Sequence, residues 1–238
     1  VLLADRHRSP GSSRSSLRVV VSTGAVLLAL VLLSGCLPVN AASGRDTPVR
    51  RVLVLGDSIT FGLYGTTPRV HEPFTRMMAD RGVAVTIDGF PGETPIDTWP
   101  GHPSWLERMR WWIAAVDPDM VVIQSVLMPD PGNTIRQAMY VEVMRQLLDS
   151  AASQGAHVYL VSHPSPPGDF ERQSRDIAQS LQAQAAVGRG VSTIPLDFWL
   201  DRCEGGYVRD GWHLSAKGQN CHALALTLAV DQLRAVNG

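Results

Sequence analysis

One kind of basic residue is nearly missing from this chain. Among its 21 lysines and arginines only Lys217 is a lysine, and no block of like charge forms anywhere. With a net charge of -1, the sequence has no electrostatic footprint for nucleic acid, and no such partner is expected. There is no Walker-type loop and no Gly-x-Gly-x-x-Gly after a strand, which disfavours nucleotide binding. No apolar run reaches the ~20 residues of a membrane-spanning helix; the uncharged apolar stretch Val19–Leu33 falls short of it. Cysteine is scarce, at three in 238 residues, and no internal repeat is present. What the chain does have is 45 % hydrophobic residues, which suits one globular domain with a proper core plus some sequence outside it.

The sequence outside the domain is N-terminal. Arg6, Arg8, Arg14 and Arg18 precede the apolar run, and the next charged residue is Arg45. A basic start, a short apolar core and small residues after it make a secretory signal. The run ends in Leu33-Ser34-Gly35-Cys36, which resembles the lipobox of bacterial lipoproteins. That resemblance implies that Cys36 becomes the first mature residue and carries lipid. The alternatives are an ordinary signal cut after Ala41 or Ala42, or an uncleaved anchor. The expected organisation is a signal over 1–35, a tether over 36–48 and a domain over 49–238. All three versions place the domain outside the cytoplasmic membrane, on its outer face or in the cell envelope, with a lipid anchor as the favoured membrane link. An exported domain holding Cys203 and Cys221 is expected to pair them in a disulfide, against the alternative of two free buried thiols. Nothing near these thiols completes a four-ligand metal set.

From Val49 the chain alternates between apolar, β-branched runs and amphipathic stretches. Strands are predicted over 49–55, 83–88, 120–125, 157–162 and 191–196. Helices are predicted over 71–81, 103–116, 135–154, 170–187 and from 215 or 216 to about 236. Continuous apolar strands separated by helices argue for a parallel sheet covered on both faces, an α/β/α sandwich. Trp105, Leu106, Met109, Trp112 and Ile113 fall at helical spacing and read as core or cover. His163 follows the fourth strand and is a candidate ligand-facing residue.

The chemistry gathers at the ends of strands. Val52–Leu55 stops abruptly in Gly56-Asp57-Ser58, and a residue just past a buried strand sits where open α/β sheets bind ligands. Ser58 is a candidate nucleophile there, although Gly-Asp-Ser alone is also a common turn. A serine hydroxyl needs a base, and the base needs orienting. Asp210 and His213 supply those residue types three positions apart, before the last helix. Gly89–Thr94 forms a tight loop whose backbone N–H groups can donate to an oxyanion.

Gly56-Asp57-Ser58-Ile59-Thr60 together with Asp210-Gly211-Trp212-His213-Leu214-Ser215 resembles the SGNH/GDSL hydrolases: esterases, lipases and carbohydrate deacetylases on a five-stranded flavodoxin-like parallel sheet. The resemblance implies that Ser58 is the nucleophile, His213 the general base and then acid, and Asp210 its orienting partner. The family's Gly-x-x-Gly-Asp-Thr block matches Gly89–Thr94, so Gly92 and Ser58 become backbone oxyanion donors. The family's third block, Gly-x-Asn-Asp, is not kept. Its Asn falls near Leu127, which cannot donate, leaving Gln124, Ser125 or Asn133 as substitutes, or two backbone donors alone. The same Asn is missing in some SGNH domains attached to cell-surface O-acyltransferases, which the cysteine-flanked Asp/His loop also resembles.

The expected activity is hydrolysis of carboxylic esters, the partner being a lipid, an acylated glycan or a small ester, with no metal or organic cofactor. The alternatives are an O-acyltransferase for cell-envelope glycans using the same triad, and a non-catalytic glycan- or lipid-binding lipoprotein. Nothing in the sequence bears on oligomeric state.

Overall fold

The computed structural model describes residues 48–61, 71–126, 130–163, 168–203, 206 and 213–237. Five strands make one all-parallel sheet: β1 (Arg51–Gly56), β2 (Ala84–Gly89), β3 (Met120–Gln124), β4 (His157–Ser162) and β5 (Ser192–Pro195), in the order β2-β1-β3-β4-β5. Seven helices are described: α1 (Ser58–Phe61), α2 (His71–Ala79), α3 (Trp105–Val116), α4 (Thr134–Ala152), α5 (Asp169–Ala186), α6 (Leu196–Leu200) and α7 (Ala216–Asn237). This is the predicted three-layer sandwich.

The strands read as unbroken apolar runs because helices cover both faces of the sheet. Alternate residues along each strand feed two separate cores. Val52 and Val54 of β1, Met120 and Val122 of β3, and Tyr159 and Val161 of β4 meet Phe74 and Met78 of α2 and Leu226, Val230 and Leu233 of α7. Leu53, Leu55, Val121, Ile123, Val158 and Leu160 point the other way, onto Trp105 and Met109 of α3, Met144 and Leu147 of α4, and Ala178 of α5. A charged pair of strand ends is pinned at the opposite rim: the Asp119 carboxylate accepts from the backbone N–H groups of Arg50 and Arg51, both at 2.9 Å.

Two short helices escape the sequence pattern. α6 follows β5 directly, so the apolar run predicted as strand to residue 196 turns into a helix at Leu196. Pro195, its N-cap, makes no side-chain cap bond, which removes the usual start signal. α1 begins on Ser58 itself. α2 ends at Ala79, two residues before the predicted end, and Gly82 (φ +66°) closes the following turn. The other predicted boundaries differ by at most two residues, and β4 matches in full.

Cys203 and Cys221 form the expected disulfide, with Cα atoms 6.6 Å apart. It fastens the segment after α6 to α7. Among the described residues, no helix is long and apolar enough to cross a membrane.

Candidate active site

The strand order reverses around β1, since β2 lies on one side of it and β3 on the other. The crevice beyond the carboxyl ends of such strands is where this architecture binds ligands. Ser58 stands there, one residue past Asp57 at the end of β1. The turn that delivers it is tight enough to demand Gly56. A Cβ on that residue would lie 2.0 Å from Thr60 Oγ1 and 2.8 Å from the Gln124 carbonyl oxygen.

Ser58 Oγ lies 3.1 Å from His213 Nε2, across 155 positions of sequence. With the proton on Nδ1, Nε2 accepts from the serine hydroxyl, the geometry a general base needs. Both side chains are half-buried. The structure therefore brings two of the three predicted triad members together; Asp210 lies outside the described residues.

Asp57 was legible only as a turn former, yet it braces the site. Its Oδ1 accepts from the Ile59 N–H at 3.0 Å and its Oδ2 from the Val126 N–H at 2.8 Å. One carboxylate thus ties α1 to the end of β3. Burial pushes Asp57 up to about 6, opposed by the backbone hydrogen bonds and by nearby His213.

The loop after β2 packs against the same helix. The Phe90 N–H donates to the Gly56 carbonyl at 3.0 Å. A Cβ on Gly89 would lie 2.7 Å from the Phe61 nitrogen, so only glycine permits this approach. Gly92 is exposed and holds φ +73°, with the Trp99 indole beside it. Trp99 is 56 % exposed and donates its indole N–H to the Pro91 carbonyl at 2.9 Å.

Of the three substitutes for the family's Asn, Ser125 and Asn133 are engaged elsewhere, and Gln124 is engaged through its oxygen alone. Gln124 is fully buried, and its Oε1 accepts from the Thr60 hydroxyl at 2.6 Å. It belongs to the face of β3 that carries Met120 and Val122, and its Nε2 is buried with no hydrogen-bond partner among the described residues. Ser125 is buried under Tyr140, whose hydroxyl donates to Ser125 Oγ at 3.0 Å, with Gln182 bonded to both residues. Asn133 caps α4 by accepting from the Ile135 and Arg136 N–H groups. Leu127 lies outside the described residues.

His163 also departs from expectation. It is buried, and burial, with His222 and Arg175 adding to it, drives its pKa down to about 3. Burial likewise drives His222 of α7 down to about 4. Both are neutral imidazoles inside the protein, not groups facing a ligand. Their folded values lie below the ordinary 6.5. The stability they contribute is therefore present above that value and is lost as pH falls toward the folded values.

Sequence reasoning missed a buried ion network under the Gly92 loop. Arg108 of α3 donates from Nε to Asp88 at 3.0 Å and from Nη1 to Glu93 at 2.6 Å. Its signal was a charge within the apolar stripe of Trp105, Met109 and Ile113. Elsewhere, a groove of about 470 Å³ is lined by Arg110, Ile113, Gln146, Asp149 and Gln154. It lies toward the C-terminal ends of α3 and α4, which lead into the starts of β3 and β4, the rim opposite Ser58. Among the described residues, no group of three or more His, Cys, Asp or Glu side chains is placed to hold a metal ion.

The model of the GDSL-like lipase/acylhydrolase family matches residues 54–221. A search of curated proteins found no match. Among solved structures, the family 3 carbohydrate esterase of Clostridium thermocellum superposes with a TM-score of 0.57 at 18% identity, covering 79% of this chain and 99% of its own. A GDSL-like lipase from Bacteroides thetaiotaomicron gives 0.55 at 20% identity, with 81% and 94% covered. A catalytic mutant of an acetylxylan esterase from Geobacillus stearothermophilus gives 0.55 at 16%, with 77% and 95% covered. At these identities the likeness is one of fold.

Proposed function

Because the chain belongs to the GDSL-like lipase/acylhydrolase family, whose members are ester-cleaving serine hydrolases, we propose that it cleaves carboxylic esters through Ser58, His213 and Asp210. The observation that carries the reading is the 3.1 Å contact between Ser58 Oγ and His213 Nε2. Ser58 attacks the ester carbonyl while His213 takes its proton. The tetrahedral oxyanion is met by the backbone N–H groups of Ser58 and Gly92. Collapse breaks the ester C–O bond, and His213 returns the proton to the departing alcohol oxygen. Water, deprotonated by His213, then attacks the acyl-serine, and a second collapse frees the carboxylic acid and Ser58. Asp210 holds the His213 tautomer that leaves Nε2 free to accept.

The substrate is an acyl or acetyl ester on a glycan, a lipid or a small molecule. Structural neighbours named as carbohydrate esterase and acetylxylan esterase support an acetylated glycan among these. The test is turnover of p-nitrophenyl acetate and butyrate, with labelling by a serine-reactive fluorophosphonate. Both are expected in the native protein and absent in Ser58→Ala. Undiminished turnover in a folded Ser58→Ala variant would remove Ser58 from the mechanism.

The proposal includes place as well as chemistry. The basic start, the apolar run and Cys36 support export with a lipid tether on the outer face of the membrane. Cys36→Ala is expected to move the protein from the membrane fraction to the soluble one; retention in the membrane would identify an uncleaved anchor instead.

A further inference from the structure

The loop Phe90–Glu93 is fastened at Phe90, Pro91 and Glu93, and two of these three fastenings reach one buried cation directly. Arg108 is only 5 % exposed, and the Glu93 side chain has no exposed surface. The guanidinium reaches the loop on both sides of Gly92. It holds Asp88 at the end of β2 and Glu93 just past the glycine. Its carbon also lies 4.0 Å from the centre of the Phe90 ring, within cation–π range. The second Glu93 oxygen accepts from His102 Nδ1 at 2.8 Å and from the Trp99 N–H at 3.4 Å. Trp99 in turn bonds the Pro91 carbonyl through its indole. Trp112 completes the set by donating to Asp88 at 2.7 Å.

Burying a guanidinium with two carboxylates is a poor way to gain stability, because apolar side chains of similar volume do as well or better. What such a network supplies is fixed geometry: the planar fork of Arg108 admits its two carboxylates in one arrangement. The segment so fixed carries a positive-φ glycine whose N–H is the proposed oxyanion donor. A donor of this kind accelerates the reaction only when it is aimed beforehand at the place where charge develops.

We propose that Arg108 and Glu93 are positioning residues, which act through the loop backbone to aim the Gly92 N–H at the oxyanion. The inference rests on the serine-esterase reading above and extends it to side chains that touch no substrate. It separates from a purely structural role by its kinetic signature. An oxyanion exists in the transition state and not in the bound ester, so a misaimed donor lowers kcat and leaves KM in place. A network that only held the fold together would lower the melting temperature and leave kcat of the folded protein unchanged.

The experiment uses the full chain with Glu93→Gln, which keeps the shape and removes the charge. Alongside it stands His102→Ala, which removes one of the two donors to Glu93 Oε1 and an edge contact to Phe90, at a side chain that is 44% exposed. Each is measured for kcat and KM on p-nitrophenyl acetate, for melting temperature, and for amide hydrogen exchange of peptides covering 89–99. Glu93→Gln is expected to lose roughly ten- to a hundredfold in kcat, short of the loss of a whole oxyanion donor. His102→Ala is expected to lose a few-fold, with KM within about twofold in both and faster exchange across 89–99. Arg108→Lys is expected to restore none of this geometry and to fall with Glu93→Gln. A folded Glu93→Gln at native kcat, or equal losses in kcat and in affinity, overturns the proposal. So does unchanged exchange across 89–99 in both variants. Absent Ser58-dependent turnover in the native protein overturns the esterase reading and the positioning role together, while the exchange data still report whether the network holds the loop.

Discussion

Replacing His213 with alanine is expected to cut kcat for p-nitrophenyl acetate about ten-thousandfold or more, the loss typical when the base of such a triad is removed. The size follows from His213 being the base that the described residues place against Ser58. Its hydroxyl is a poor nucleophile at neutral pH, and the contact of 3.1 Å to Nε2 is its route to activation. The loss is chemical and not structural, because the place of Ser58 is set from its own side. Gly56 permits the turn, and Asp57 ties α1 to β3. The His213→Ala protein is therefore expected to melt within a few degrees of the native one. Fluorophosphonate labelling is expected to slow in parallel, since phosphonylation needs the same base. The double variant Ser58→Ala/His213→Ala is expected to be no slower than either single variant, because the two residues act as a unit. Full turnover in folded His213→Ala, or additive losses in the double variant, would be incompatible with that unit.

How far these features could be read from sequence depends on what kind of signal each leaves. The strands were legible because burial on both faces leaves them uniformly apolar, as in Met120–Ile123 and Val158–Val161. α6 was not, because Leu196-Asp197-Phe198-Trp199-Leu200 follows a strand without a polar cap and looks like its continuation. Ser58 and His213 were legible as residue types at two places in the order their chemistry needs. Their contact is a tertiary fact that no local pattern encodes. Period-two alternation along β3 places Gln124 with Met120 and Val122; that its amide nitrogen is left without a partner among the described residues could not be read. Arg108 is similar. Three residues after Trp105, it falls on the buried face of its helix, where a charge calls for buried partners. Which carboxylates would answer could not be read, since Asp88 and Glu93 arrive from the far side of a loop. His163 looked exposed because it ends a strand before a proline-rich stretch; the groups near it, His222 of α7 and Arg175 and Gln179 of α5, come from distances in sequence that local patterns do not span.

Asp57→Asn is expected to cost the site its geometry and, at the same time, to change how activity depends on pH. The carboxylate receives two buried N–H donors, from Ile59 and Val126. An asparagine offers one oxygen and turns an NH2 toward the other donor. Leaving one such N–H unpaired costs about 1–3 kcal/mol, and the unpaired bond is one that joins the nucleophile's helix to the neighbouring strand. A fall in kcat/KM of about a hundredfold is expected, from a shift of Ser58 of the kind that costs that much elsewhere. The pH behaviour follows from the raised pKa. Burial lifts Asp57 from 3.8 to about 6, so folding favours its neutral form. Its stabilising contribution is complete below 3.8 and is lost as pH rises through about 6. Activity runs in the opposite sense. A protonated Asp57 keeps acceptor capacity on both oxygens but holds its N–H donors more weakly than the carboxylate does, so the tightest turn belongs to the ionised form. His213 must also be unprotonated to act as base. Ionisation of Asp57 adds to that requirement, so log kcat/KM of the native protein is expected to fall more steeply toward acid pH than that of Asp57→Asn. Melting temperatures give an independent check. The native-minus-variant difference is expected to shrink as pH rises from 5 to 7. The acid sensitivity contributed by His163 and His222 is common to both proteins and cancels in that difference. Acid limbs of equal steepness in the two proteins, together with a pH-independent difference in melting temperature, would mean that Asp57 stays ionised throughout and that its role ends with the two backbone bonds it accepts.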